Sequence, residues 1–458
     1  MQSRIKPDKG AQFIINRLYN KGFKTYCVGG FVRDSLLNIK SSDIDITSQA
    51  SPKEVKEIFS DCKIVDISEK YGTIVIIVDD KAYEVTSHRI EGDYCDGRRP
   101  NRVTFGTNLS ADLERRDFTI NALAYSEQGG LVDYFGGVKD LQDKILRAVG
   151  DPFKRIDEDY LRMLRAVRFS ASLDLDMEES LKEAIKQKAK NIRQISAERI
   201  NAELSKMLLQ DKPSRAIICL YENRLLKYII EDLNDSYGFT QDNIHHKYDL
   251  FYHTMRVLDE TPKDLEIRLA ALFHDLGKIY TKRIGPDGQA HFYGHDKKSE
   301  DLCLGYLTEL RYDKKTIQNV CILVRRHMEA MNPYTEKTVK RLVRKIGPDL
   351  ARKLFYLQRA DILATSNPEF TSNVDKALEI LDYILQEDEP IYRKQLAING
   401  NDIISLGYKQ GRQVGKILEA ITDLVDEGRL ENDRESILKY IEKRSINNEE
   451  DNFIRYMP

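Results

Sequence analysis

The strand-forming pattern in this chain stops near residue 140, and that boundary governs what it can fold into. Before it, short β-branched runs (Thr73 to Val78, Ala82 to Thr86) alternate with helix-like stretches such as Pro52 to Phe59. Beyond Asp140, Leu, Ile, Ala and Arg recur at helical spacing almost throughout. The expectation is an α/β head built on a mixed sheet with helices, followed by an all-α remainder. At 458 residues the chain exceeds one ordinary core. Polar breaks at Asp211 to Ser214, Asp232 to Asn243, Gly285 to Gly288 and Asn367-Pro368 suggest domains over 1–140, 141–230, 240–370 and 371–458.

Composition narrows the setting. No apolar run approaches the roughly 20 residues that span a bilayer, and the polar start, Met1 to Gly10, is unlike a secretory signal. No membrane partner is expected. Six cysteines without a CxxC pair suit a reducing, cytoplasmic setting and argue against a disulfide framework. A net charge of -2 does not by itself announce a nucleic-acid binder, so any such claim must rest on local patches.

Thr25 to Val28 reads as a strand running into Gly29-Gly30, with Phe31 to Leu37 as the following helix. Two glycines there let backbone N–H groups approach a phosphate. Ser42 to Thr47 alternates polar and apolar, so it reads as a strand on which Asp43 and Asp45 share a face. Side-by-side carboxylates repel unless a cation sits between them, and hard oxygen ligands suit Mg²⁺. A neighbouring strand offers Glu84, on one face with Thr86 and His88. Three carboxylates on adjacent strands can hold two Mg²⁺ ions, one activating an RNA 3′-hydroxyl and one carrying a triphosphate.

The string GGFVRD, then DIDI, then RRDFTINALAY (Arg115 to Tyr125), then EDYLRMLRAVRF (Glu158 to Phe169), resembles the class II tRNA nucleotidyltransferase and bacterial poly(A) polymerase family. The resemblance implies a head of the polymerase β type with Asp43 and Asp45 as metal ligands, beside which the strand reading places Glu84 as a third catalytic carboxylate. It implies nucleotide contacts from Arg115, Arg116, Asp117 and Asn121, and Gly29, Gly30, Arg33 and Arg165 are expected to join them. Asp117 and Asn121, four apart, are expected on one face of a helix. Glu158, Arg162 and Arg165 are expected on one face of another helix, opposite Tyr160, Leu164, Val167 and Ala171. The family uses the matching EDxxR stretch in place of a template, so Asp159 and Arg162 would pair with the incoming base, supported by Glu158. The implied activity is template-independent addition of C, C and A to a tRNA 3′ end from CTP and ATP. A-adding, CC-adding and poly(A)-polymerising relatives share the same head, and a phosphohydrolase with a nucleotide-sensing head is a further alternative. The stretch Arg89 to Pro100 reads as a mobile loop of full length, which favours CCA or A addition.

Seven of the eight histidines fall between His245 and His327, and such clustering points to metal. Arg268 to Ile279 reads as an amphipathic helix ending in His274-Asp275. With His253, His295, His327 and Asp361, the order resembles the HD superfamily of metal-dependent phosphohydrolases. Imidazole with carboxylate suits Mn²⁺, Fe²⁺, Co²⁺, Ni²⁺ or Zn²⁺. His253, His274, Asp275 and Asp361 form the minimal set, His295 and His327 are placed for a second ion, and Lys278 for substrate phosphate. Further on, Glu336 to Ala360 carries eight Lys or Arg against two acids. Lys337, Lys340, Arg341, Arg344 and Lys345 form a stripe suited to a phosphate backbone, and the glycine-rich turns from Leu396 to Lys416 resemble the tRNA-gripping tail of the same family.

Overall fold

The computed structural model describes residues 5–41, 43–68, 72–91, 103–105, 108–242, 248–286, 288–331, 333–365, 368–386, 396–426 and 429–445. The chain divides into two compact units, residues 1–326 with 363–367, and residues 327–362 with 368–458.

The first unit opens on a seven-stranded mixed sheet. Its strands are β1 (Thr25–Val28), β2 (Asp45–Ser48), β3 (Lys63–Ser68), β4 (Thr73–Val78), β5 (Lys81–Ser87), β8 (Leu123–Ser126) and β9 (Gly130–Asp133), in the order β3-β4-β5-β2-β1-β8-β9. Between β5 and β8 the chain forms a separate antiparallel ribbon of β6 (Arg89–Glu91) and β7 (Val103–Phe105). Pairing is antiparallel except at β2 with β5, where Thr47 lies opposite Thr86. Cys27, Val28, Ile46, Ile74, Ile76 and Val85 are almost fully buried. Removing these β-branched and apolar side chains from water is the main drive for closing the sheet.

Where the sheet stops matters for the site. Strand β2 begins at Asp45, not Ser42, because its partner β1 ends at Val28, directly opposite Asp45. Gly29, with φ +70°, then turns the chain into the helix Gly30–Leu36. Asp43 and Ile44 are left without a ladder partner, so Asp43 reaches the site from a loop. The expected loop from Arg89 is also corrected in part, since Arg89 to Glu91 pair as a strand; residues 92–100 lie outside the described residues.

From residue 152 the first unit is almost wholly helical. Helices Leu161–Leu173, Ala197–Leu208 and Pro213–Glu222 pack on one another, and Leu250–Glu260, Leu265–Phe273, His295–Glu309 and Lys314–Arg326 follow. The helix expected from Arg268 begins earlier, at Leu265, because Asp264 accepts from the backbone N–H groups of Glu266 and Ile267. It ends at Phe273, with His274 at its C-cap. A new short helix starts only at Lys278, after Gly277, whose backbone packs so closely on the His295 carbonyl that a Cβ would overlap it.

The second unit is helical. In the helix Glu336–Ile346, Thr335 accepts from the Thr338 backbone N–H at the N-cap, and Val339, Leu342 and Val343 are buried. Lys337, Arg341 and Lys345 are exposed, Lys340 pairs with Glu336 at 2.7 Å, and Arg344 is half-buried. The basic face is thus present but narrower than its sequence suggests. A small core of Ile398, Ile403, Val414, Ile417, Ile421, Leu424, Ile437 and Ile441 joins the three helices Gly400–Ser405, Arg412–Asp426 and Arg434–Ser445. Among the described residues, no helix is long and apolar enough to cross a membrane.

Candidate active site and histidine cluster

The carboxylates expected to share an edge of the sheet feel one another. Asp45 stands at the start of β2 and Glu84 on the adjacent β5. Both are exposed as residues. Surrounding protein pushes the Asp45 carboxyl above its ordinary range, the Arg116 guanidinium opposes this, and Asp43 adds to it. Glu84 is likewise raised, first by loss of solvent and then by Asp45 and Asp43. Two acids whose proton affinity is raised, with the Asp43 charge contributing to both, form a set that a divalent cation relieves. Beside them, a Cβ on Gly29 would stand 2.8 Å from Arg116 Nη1, so only glycine admits that guanidinium. Gly30 starts the helix that carries Arg33.

The RRD segment is not the expected helix. Helix Leu109–Glu114 ends at Arg115, and a short 3-10 turn, Thr119–Asn121, comes after Asp117. The Asp117 side chain causes the break: Oδ1 accepts from the Phe118 backbone N–H at 2.9 Å and from Asn121 Nδ2 at 3.0 Å. The expected pairing of Asp117 with Asn121 therefore holds by a different route. Arg165 donates to Asp117 Oδ2 at 2.7 Å and Arg33 donates to Asn121 Oδ1 at 2.6 Å. Burial opposes the charge on Asp117, but Arg165 and Asn121 overrule it and hold the carboxyl at about 2.

The base-selecting stretch is also two helices. Pro152–Glu158 ends before Asp159, which is extended (φ -153°, ψ 105°), and Leu161–Leu173 starts anew. Asp159 closes the first helix, and its Oδ1 accepts from the backbone N–H of Leu161, the first residue of the second, at 3.0 Å. Glu158 and Arg162 still form their ion pair, across the break. Arg162 also donates to the carbonyls of Arg155 (2.7 Å) and Arg115 (3.0 Å). On the other face Leu164 and Val167 are buried, while Tyr160 and Ala171 are only partly so. Three residues to which sequence reasoning gave no role complete the arrangement. Arg199 holds Asp159 Oδ2 at 2.6 Å from 40 positions away. Phe169 presents its ring to Arg33, Arg165 and Arg168 at 4.9, 5.4 and 4.1 Å. Asp112, fully buried, accepts from Arg115 at 2.8 and 3.0 Å. Arg199 to Asp159 and Phe169 to Arg33 follow no spacing rule, whereas Asp112–Arg115 and Arg165–Phe169 stand at helical i,i+3 and i,i+4 spacing.

In the histidine cluster, four expected ligands of the first unit converge. His253 Nε2 and His274 Nε2 lie 3.5 and 3.3 Å from Asp275 Oδ2, and His295 Nε2 lies 3.3 Å from Asp275 Oδ1. All four are buried. His274 Nδ1 is 2.9 Å from the Ala271 carbonyl and His295 Nδ1 is 2.7 Å from the Phe292 carbonyl. A carbonyl can only accept, so each Nδ1 carries a proton, and the ring is held with its Nε2 facing Asp275. Imidazole Nε2 atoms fixed around a buried carboxylate are a nitrogen–oxygen donor set that fits a divalent transition metal. Burial disfavours the charge on Asp275, but Lys278, His274 and His253 hold it well below the usual carboxylate range. Lys278, expected to meet a phosphate, instead donates to Asp275 Oδ2 at 2.6 Å and to Gln241 at 3.0 Å. His327 and Asp361 belong to the second unit, at the start of a 3-10 turn and in the helix Pro348–Ala364.

The chain is similar to known proteins over most of its length. Residues 25–147 match the poly A polymerase head domain, 174–236 a probable RNA and SrmB-binding site of polymerase A, and 298–441 a putative second domain of tRNA nucleotidyltransferases. A CCA-adding enzyme of Lactobacillus helveticus is 35% identical over 433 residues, covering 94% of this chain and 95% of the relative. One from Streptococcus thermophilus is 32% identical over 430 residues, covering 94% and 95%. Among solved structures, the Bacillus stearothermophilus CCA-adding enzyme in complex with CTP is 28% identical, with a TM-score of 0.74 over 95% of this chain and 97% of that one. A Thermotoga maritima CCA-adding enzyme complexed with tRNA, at 21% identity and a TM-score of 0.54 over 97% of each chain, shares the fold.

Proposed function

This chain belongs to the CCA-adding enzyme family, and from that premise we propose that it adds C, C and A in turn to the 3′ end of tRNA, using CTP and ATP and releasing pyrophosphate. The observation that carries this reading is the bond from Arg162 to the Arg115 carbonyl. It ties the guanidinium that would read a base to the segment whose side chains would hold that base's triphosphate.

The head's own residues divide the work. Asp43, Asp45 and Glu84 hold Mg²⁺, which when bound acidifies the RNA 3′-hydroxyl and screens the triphosphate. Arg115 and Arg116 hold the triphosphate, and Asp117 with Asn121 meets the ribose hydroxyls. Arg165 keeps Asp117 ionised and therefore an acceptor. Asp159 and Arg162 read the base: C and A each present an amino group beside a ring nitrogen that accepts, which matches a carboxylate beside a guanidinium. U and G present a carbonyl and an N–H at those positions, and both contacts become repulsive.

The histidine cluster is a second, hydrolytic site. His253, His274 and Asp275 would hold one divalent transition metal and His295 with Asp275 would serve a second, and the HD resemblance adds Asp361 to the first set and His327 to the second. The metal when bound would polarise a phosphoryl oxygen, which suits removal of a terminal or 2′,3′-cyclic phosphate from an RNA end. The division into a head (1–140), a neck with the base-selecting helices (141–230), a hydrolytic domain (240–370) and a tRNA-binding tail (371–458) follows the same reading, as does a cytoplasmic place of action.

The test is extension of tRNA transcripts ending at the discriminator base, at C or at CC, with Mg²⁺, CTP and ATP, followed by sequencing of the 3′ ends. Completion of all three to CCA and then arrest is expected. Extension of the CC transcript alone would make this an A-adding enzyme, and long A tails would make it a poly(A) polymerase.

A further inference from the structure

The carboxylate of Asp112 takes no part in the chemistry assigned above, yet it joins its pieces. It is wholly buried (0% exposed), and Arg115 places both Nε and Nη2 on Oδ1, at 3.0 and 2.8 Å. Oδ2 receives the Thr47 hydroxyl at 3.3 Å and has Arg116 Nη2 at 3.8 Å. His88, also buried, contributes favourably to its charge.

Each of these partners leads to a different part of the site. Thr47 shares a strand face with Asp45, two residues back on β2. Arg116 lies against Gly29 and acts on the Asp45 carboxylate. The Arg115 carbonyl accepts from Arg162. A buried carboxylate is retained only where its partners compensate for lost solvation, and removing it leaves their charges unmatched. A core ion pair needs one cation; here two consecutive arginines, 115 and 116, converge on one acid beside the carboxylate edge of the sheet.

We propose that Asp112 is the positioning residue that holds Arg115 and Arg116 in place for the nucleotide triphosphate and locks them to the carboxylate strand. It touches neither nucleotide nor metal; it acts through the two arginines. The inference rests on the reading of those arginines as triphosphate contacts.

The experiment is steady-state addition of one nucleotide by wild type and Asp112→Asn, on the full chain, with CTP, ATP and tRNA varied separately. The expected result is a rise of about tenfold or more in KM for both CTP and ATP, with KM for tRNA and the preference for CTP and ATP over UTP and GTP changed less than about twofold. A merely structural role moves all of these together with the unfolding midpoint, and that result overturns the proposal, as does an unchanged nucleotide KM in a folded variant. Where Asp112→Asn does not fold, Thr47→Val decides: it removes one of Asp112's partners, so a rise of about threefold in nucleotide KM supports the proposal and an unchanged value overturns it. Wild-type protein in the same assay separates the two readings. If it adds no nucleotide, the proposed reaction fails; if it adds them and the variant's KM is unchanged, only the role of Asp112 fails.

Discussion

Asp45 and Asp275 are both carboxylates crowded by ligand-type groups, but their surroundings pull them in opposite directions. Asp45 stands at the open end of a strand among other acids, and its affinity for protons is raised. Asp275 is 3% exposed, ringed by three histidines and a lysine, and its affinity for protons is strongly lowered. The first is the arrangement of like charges that the proposed Mg²⁺ would relieve. The second offers imidazole nitrogens already aimed by backbone carbonyls, which suits a metal that stays. On the proposed reading, one chain pairs a hard oxygen site with a borderline nitrogen–oxygen site, and ligand type and burial set the difference.

That contrast can be broken by single substitutions. The largest effect is expected for Asp45→Ala, which should lower nucleotide addition by about a thousandfold or more while leaving phosphatase activity on an RNA end unchanged. Loss of both activities would show that the two sites are not independent. Next comes Arg162→Ala. A good two-pronged base contact contributes roughly 1–3 kcal/mol of discrimination, so preference for CTP and ATP over UTP and GTP should fall about tenfold to a hundredfold. A variant that keeps its preference would remove Arg162 from base reading.

The smallest effect concerns acid stability. The carboxyl of Asp117 sits at about 2 in the folded chain against an ordinary 3.8. Its folded value is the lower one, so its contribution is present above the unfolded value and is lost as pH falls through about 2. The contribution is on the order of 2 kcal/mol, lost between about pH 4 and pH 2. Denaturant unfolding at stepped pH should show this loss in wild type and not in Asp117→Asn; equal slopes would remove the Arg165 pairing as a stabilising contact.

How far the site was legible depends on how each contact is made. Asp45, the Gly29–Gly30 turn and the neighbouring Glu84 follow from strand periodicity and local steric rules, so they were readable. Histidine clustering is a matter of composition, and it survived a helix that starts and ends earlier than its apolar pattern suggests. Asp159 and Asp117 misled, because each carboxylate bonds a nearby backbone N–H and interrupts the helix that periodicity alone supports. Arg199 and the Thr47–Asp112 bond were beyond reach, since they join positions 40 and 65 apart. Such contacts depend on tertiary packing, for which a local pattern carries no signal.

The most direct test of the contrast is metal content. Wild type, Asp45→Ala and Asp275→Ala would be dialysed against metal-free buffer and their bound metals counted by mass spectrometry. The expected result is a transition metal retained by wild type and by Asp45→Ala, lost from Asp275→Ala, and no retained Mg²⁺ in any of the three. A wild-type protein that emerges without transition metal, or an Asp275→Ala variant that keeps it, would contradict the assignment of the buried cluster as a resident metal site.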